Sequence, residues 1–98
     1  MTITKTQNGG ALEIALAGRL DTMTSPELEA ELSKALPGAE SLVFDFSKLD
    51  YISSAGLRVL LSAHKAMSAK DGMKVTHVNE IVQEVFEVTG FADILDIE

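Results

Sequence analysis

The run Ser41-Leu42-Val43-Phe44-Asp45-Phe46-Ser47-Lys48-Leu49-Asp50-Tyr51-Ile52-Ser53-Ser54-Ala55-Gly56-Leu57 decides the fold. Residues 41–46 are an apolar stretch rich in β-formers and predict a central strand. From Ser54 the period changes. Leu57, Leu60, Leu61, His64 and Met67 fall on one stripe, which predicts a helix over residues 54–70. A strand running into a helix is the repeating unit of an α/β sheet. In open sheets of this kind ligands and partners are met at that crossing. The working surface is therefore expected around Ser53 and Ser54.

Upstream, residues 2–7 alternate threonine with Ile3 and Lys5, as an edge strand does. Asn8-Gly9-Gly10 accepts positive φ and predicts a hairpin turn. The partner strand, 11–17, places Leu12, Ile14 and Leu16 on one face and alanine on most of the other, so it is expected to be covered on both sides. Gly18-Arg19-Leu20-Asp21 breaks that pattern. A helix then starts at Thr24-Ser25-Pro26-Glu27, with a hydroxyl cap, proline in the first turn and an early acid. It carries Leu28, Leu32 and Leu36, and Pro37-Gly38 stops it.

Downstream, Asp71-Gly72 turns the chain into a strand over 73–77. Asn79 is placed to cap a third helix bearing Ile81, Val82, Val85 and Phe86. Gly90 followed by Phe91 ends that helix, and residues 94–97 form a last short strand. The order β-β-α-β-α-β-α-β specifies an α/β fold. A single mixed sheet, mostly parallel apart from the opening hairpin, is packed with helices. No linker or repeat divides the chain, so residues 1–98 are expected to form one domain.

A domain of this size buries roughly 60–65% of the surface its unfolded chain exposes and has little room for a deep cleft. Fifteen acidic against eight basic residues give a net charge of −7. With no Lys/Arg cluster, nucleic acid is not an expected partner. Cysteine is absent. His64 and His77 offer no metal-ligand spacing, so neither metal nor cofactor is expected. Residues 1–5 carry no apolar signal segment, and no run approaches the ~18 apolar residues of a membrane span. The expectation is a cytoplasmic monomer without membrane insertion.

Catalysis is not expected either. A serine hydrolase needs a base, an oxyanion hole and usually Gly-x-Ser-x-Gly, and Ser53-Ser54-Ala55-Gly56 lacks the flanking glycine. Neither a Walker loop nor a dinucleotide fingerprint is present. On the residues alone, Ser53 and Ser54 read as helix N-caps that accept hydrogen bonds from free backbone amides. Asp45 reads as structural, because the acidic pair and lysine that a receiver-type phosphoacceptor needs are not in place. His64 reads as a packed, hydrogen-bonded histidine, and Met23 and Met67 as fillers of irregular core gaps.

Three motifs in order add a resemblance. The stretch from Leu49-Asp50-Tyr51-Ile52-Ser53-Ser54 through Leu61 resembles the signature loop and helix of STAS domains of the anti-sigma factor antagonist family. Gly18-Arg19-Leu20-Asp21 matches that family's motif after its second strand. Phe86-Glu87-Val88-Thr89-Gly90-Phe91 resembles its ending. The resemblance implies the STAS fold and a binding switch. The implied partner is an anti-sigma factor that is itself an ATP-using serine kinase. Binding it frees the sigma factor, phosphorylation of a serine at the start of the second helix ends the binding, and a PP2C-type phosphatase resets it.

The family's usual motif is Asp-Ser-Ser/Thr-Gly-Leu. Alignment on Gly56-Leu57 puts the phosphorylated serine on Ser54. Ser53 stands where the family usually has Asp, which makes it the second choice of acceptor, and Ala55 replaces the second hydroxyl residue. The implied partner surface comprises Asp21, Ser53, Ser54, Ala55, Gly56 and Arg58. Arg58 is also placed to steady a phosphate on Ser54. An alternative is a non-phosphorylated STAS scaffold subunit of a lipid or solute transporter complex, which needs no kinase motif. A small-anion sensor at the helix terminus is a third reading, without a basic cluster to support it.

Overall fold

The computed structural model describes residues 1–98. Strands β1 (Thr2–Asn8) and β2 (Ala11–Leu20) form an antiparallel hairpin across the Gly9-Gly10 turn, in register from Thr2↔Ala17 to Asn8↔Ala11. β3 (Ser41–Ile52), β4 (Met73–Thr76) and β5 (Asp96–Ile97) follow in parallel, and the sheet order is β1-β2-β3-β4-β5. Helices α1 (Ser25–Ala35), α2 (Ser54–Ser68) and α3 (Glu80–Thr89) make the crossovers, and single 3₁₀ turns occupy Leu36–Gly38 and Phe91–Asp93. The mixed, mostly parallel sheet expected from the element order is present.

Every crossover steps one place the same way, so the right-handed rule puts the helices on one face of the sheet. Burial follows. Leu12, Ile14, Leu16 and Leu20 of β2 and Leu42, Phe44 and Phe46 of β3 are buried with Leu28, Leu32, Leu57, Leu60, Met67, Val82 and Phe86 of the helices. The second cover expected over β2 is not there. Ala11 and Glu13 are exposed, and Ala15 and Ala17 are half-buried.

Both central strands run further than their alternation suggests. β2 passes through Gly18 at φ 100°, a conformation that glycine alone adopts cheaply, and continues to Leu20. β3 continues to Ile52 across two bulges. Ala15 pairs with Asp45 but Ala17 with Lys48, and Gly18 pairs with Leu49 but Arg19 with Tyr51. At each step β3 spends one residue more than β2 and its side chains change face. Inward positions after Phe46 are therefore Leu49 and Ile52, spaced by three rather than two. The Asp45 carboxylate accepts a 2.9 Å hydrogen bond from the Ser47 amide, satisfying a donor at the first bulge.

Smaller departures have local causes. α2 ends at Ser68 and β4 at Thr76, where His77 turns to φ 58° and leaves the strand region. α3 turns Val82 and Phe86 inward while Ile81 is 59% exposed, so Ile81 is not a core residue. The Phe91–Asp93 turn shortens the last strand to Asp96–Ile97. His64 is half-buried, but its Nδ1 has no hydrogen-bond partner, contrary to the expected bonded histidine. Asn79 caps α3 as expected, its Oδ1 accepting from the Val82 amide at 2.8 Å, and Gly90 ends that helix in the left-handed conformation.

Candidate functional site

Two turns meet at the carboxyl end of the sheet. One links β2 to α1 over residues 21–24, and the other links β3 to α2 around Ser53. The Ser53 amide donates to the Leu20 carbonyl at 2.9 Å, which ties the start of α2 to the end of β2. Gly56 allows the approach. A methyl group there would lie 2.8 Å from Leu20 Cγ and 2.9 Å from Ile52 Cγ1, inside van der Waals contact.

The first turn is organised by Asp21. Its Oδ1 accepts from the Met23 amide at 3.0 Å and the Thr24 amide at 3.1 Å. Thr24 stands at the N-cap of α1 but its hydroxyl caps nothing. It donates to the Arg19 carbonyl at 2.8 Å and accepts from the Asp21 amide at 2.9 Å. The expected hydroxyl cap is thus replaced by a carboxylate closing the turn one step earlier. The Thr24 amide, then the Met23 amide and Thr24 hydroxyl, outweigh partial burial and hold the Asp21 carboxyl below the usual aspartate range. Arg19, 3.8 Å away, acts in the same direction.

The adjacent serines are not equivalent. Ser53 has N-cap backbone geometry, φ −101° and ψ 176°, yet makes no capping bond. Its Oγ is buried and has no hydrogen-bond partner. Ser54, the first residue of α2, is exposed. Neither serine therefore does the capping expected of it. Ala55 is half-buried, Gly56 is buried, and Arg58 is exposed one turn on without an ion-pair partner. A shallow hollow of about 310 Å³ separates the starts of α1 and α2, lined by Thr22, Ser25, Pro26, Glu29, Ala55 and Arg58 among others.

Arg19 and Tyr51 were not singled out by sequence. The Arg19 guanidinium stacks 4.5 Å from the centre of the Tyr51 ring at this end of the sheet. They are neighbours only because of the second bulge, which no periodicity signals. Thr24 was legible in principle, since Asp-x-x-Thr is an Asx-turn pattern. No three His, Asp or Glu side chains converge to ligate a metal.

The family model described as Mlab, STAS domain matches residues 3–96. The anti-sigma factor antagonist BtrV of Bordetella bronchiseptica is 36% identical over 99 residues, a match covering 99% of this chain and 85% of that protein. The chain belongs to the STAS domain family of anti-sigma factor antagonists. The anti-sigma-B factor antagonist of Bacillus subtilis is 27% identical to this STAS domain over 92 residues, covering 93% of this chain and 84% of that one. The unphosphorylated form of the antagonist SpoIIAA superposes with a TM-score of 0.85 at 19% identity, over 99% of this chain and 88% of that one. An antagonist from Mycobacterium paratuberculosis gives 0.88 at 21% identity, over 98% and 83%. These superpositions establish the fold. Like the antagonists it matches, this STAS domain is a regulatory binding protein rather than an enzyme. None of its helices is long and apolar enough to cross a membrane.

Proposed function

We propose that this STAS domain is a cytoplasmic anti-sigma factor antagonist switched by phosphorylation of Ser54. It binds an anti-sigma factor with serine kinase activity and so frees the sigma factor. Transfer of phosphate from ATP to Ser54 ends the complex, and a PP2C-type phosphatase restores it. The observation that carries this reading is the contrast between the serines: Ser54 is exposed at the first turn of α2, whereas the Ser53 hydroxyl is buried. The names of the relatives support the antagonist role.

The chemistry is electrostatic. A phosphate brings about −1.5 to −2 charges and three strong acceptors. At the start of α2 the free amides and helix dipole tolerate it, stabilising an exposed anion by roughly 0.3–1 kcal/mol. The domain keeps its fold. A partner surface docked over a neutral hydroxyl has to bury the new charge unpaired, which costs several kcal/mol. Asp50, exposed just before the turn, adds repulsion. Asp21 and Gly56 serve the surface indirectly by fixing the two turns, while Ser54, Ala55 and Arg58 face the partner.

The test is incubation with the anti-sigma kinase encoded nearby and ATP, followed by phosphate mapping by mass spectrometry. Ser53→Ala and Ser54→Ala variants are run alongside. Phosphate abolished only by Ser54→Ala, with loss of kinase binding, is the expected result. The absence of phosphate with the cognate kinase would transfer the domain to the transporter-scaffold reading.

A further inference from the structure

We propose that Met23 is the apolar anchor of this interface, seating in a hydrophobic pocket of the anti-sigma partner. This rests on the antagonist reading above and adds to it a residue outside the family's serine motif. Sequence alone made Met23 a core filler, yet it is the most exposed large apolar side chain of the chain, at 84%. The core does not use it.

A single exposed apolar residue is ordinary on a protein surface. Met23 differs in how it is held. Its own amide and that of Thr24 are bonded to the Asp21 carboxylate, and the Ser25 amide donates to the Asp21 carbonyl at 2.8 Å. The Thr24 hydroxyl secures the same turn to Arg19. The backbone that carries Met23 is therefore ordered before any partner arrives, and binding does not have to order it. Methionine is unbranched and polarisable, fits irregular pockets, and is enriched at the cores of interfaces.

Position selects the occupant. Thr22, next to Met23, and Ser25, two residues after it, form one wall of the hollow whose other wall holds Ala55 and Arg58, within about one turn of Ser54. Met23 thus continues the surface that the phosphate would disrupt. The remaining exposed apolar side chains, Ile81, Val88 and Ile94, belong to α3 and the segment after it, and none lies in either turn. A net charge of −7 disfavours an anionic lipid surface as the occupant. A protein pocket on the bound anti-sigma factor is the occupant that fits.

The experiment measures the affinity of the purified anti-sigma kinase encoded nearby for wild-type protein and for Met23→Ser, Met23→Leu and Ser54→Asp. A thermal melt of each variant accompanies it. Met23→Ser should weaken binding by roughly tenfold or more, the effect of truncating an interface hot spot. Met23→Leu should keep most of the affinity, and all melts should match the wild type. If Met23→Ser binds like wild type while Ser54→Asp does not, the anchor is wrong and the antagonist reading stands. If wild type does not bind, or Ser54→Asp binds as well as wild type, that reading fails and the anchor with it. Equal losses in the Ser and Leu variants, or a lowered melt for Met23→Ser, would also overturn the anchor.

Discussion

The side-chain amide of Asn79 donates a 2.7 Å hydrogen bond to the carbonyl of Leu49, thirty residues earlier. β4 pairs with β3 only from Leu42 to Asp45, so the bulged end of β3, paired with β2 on one side, has no strand on its other side. Asn79 supplies a donor in place of the missing ladder while its oxygen caps α3. One residue thereby locks the start of α3 against the strand that leads to Ser53.

Replacing Asn79 should separate these roles. Asn79→Ser retains an acceptor for the Val82 amide but cannot reach Leu49, and Asn79→Ala loses both. A lost cap alone costs about 1 kcal/mol, and an unmet carbonyl adds about 1–3 kcal/mol if no water reaches it. Urea denaturation should rank the stabilities wild type, Ser, Ala. Equal stability of the Ser and Ala variants would show that the Leu49 bond carries all the effect.

Gly56→Ala pits two effects against each other. Alanine favours a helix interior over glycine by about 1 kcal/mol. Against that, the new methyl meets Leu20 Cγ and Cδ2 and Ile52 Cγ1 at 2.8 to 3.0 Å, in side chains that are fully buried in the core. Overpacking of this kind costs about 1–3 kcal/mol, so the variant should be less stable. Adding Leu20→Ala should make the second loss smaller than the Leu20→Ala loss measured alone.

Ser53→Ala should leave the fold as stable as wild type or more so. An N-cap serine normally costs about 1 kcal/mol to remove, but this one makes no capping bond. Its buried hydroxyl has been stripped of water without a partner, and alanine removes that penalty. A melting temperature lower than wild type would contradict the geometry at Ser53.

Acid should weaken the domain through Asp21 and Asp45. The Ser47 amide and hydroxyl, with His77 3.3 Å away, hold the Asp45 carboxyl below its usual range, as the Thr24 amide does for Asp21. Carboxyls whose pKa is lower folded than unfolded stabilise above the unfolded value, about 3.9 for aspartate. That contribution disappears as pH falls through the lower, folded value. Urea melts should show stability falling below about pH 4, and the Asp21→Asn, Asp45→Asn double variant should show a shallower fall.

The order of elements was legible because most of the sheet obeys simple periods. Asn8-Gly9-Gly10 announced the hairpin, Asn79 the third helix, and Leu57, Leu60 and Met67 the second. The ends of β2 and β3 were not legible, for one physical reason. Gly18 adopts a backbone other residues avoid, and the bulges move inward side chains from every second to every third position. A reader following alternation stops at Phe46. The serine turn was found by its place between strand and helix and by its motif. Which serine is buried depends on tertiary packing, and the stacking of Arg19 on Tyr51 depends on a register that only pairing with β2 reveals.

The bulges have a consequence in arithmetic. Each reverses the parity of the strand, and two together restore it, so Ile52 faces inward as Phe46 does. The orientation in which the chain enters Ser53 and Ser54 is thus set by an even count of insertions. Removing one residue between Phe46 and Ile52 would leave an odd count and deliver the turn to α2 with its faces exchanged. The length of this segment, as much as its composition, decides which hydroxyl the solvent sees.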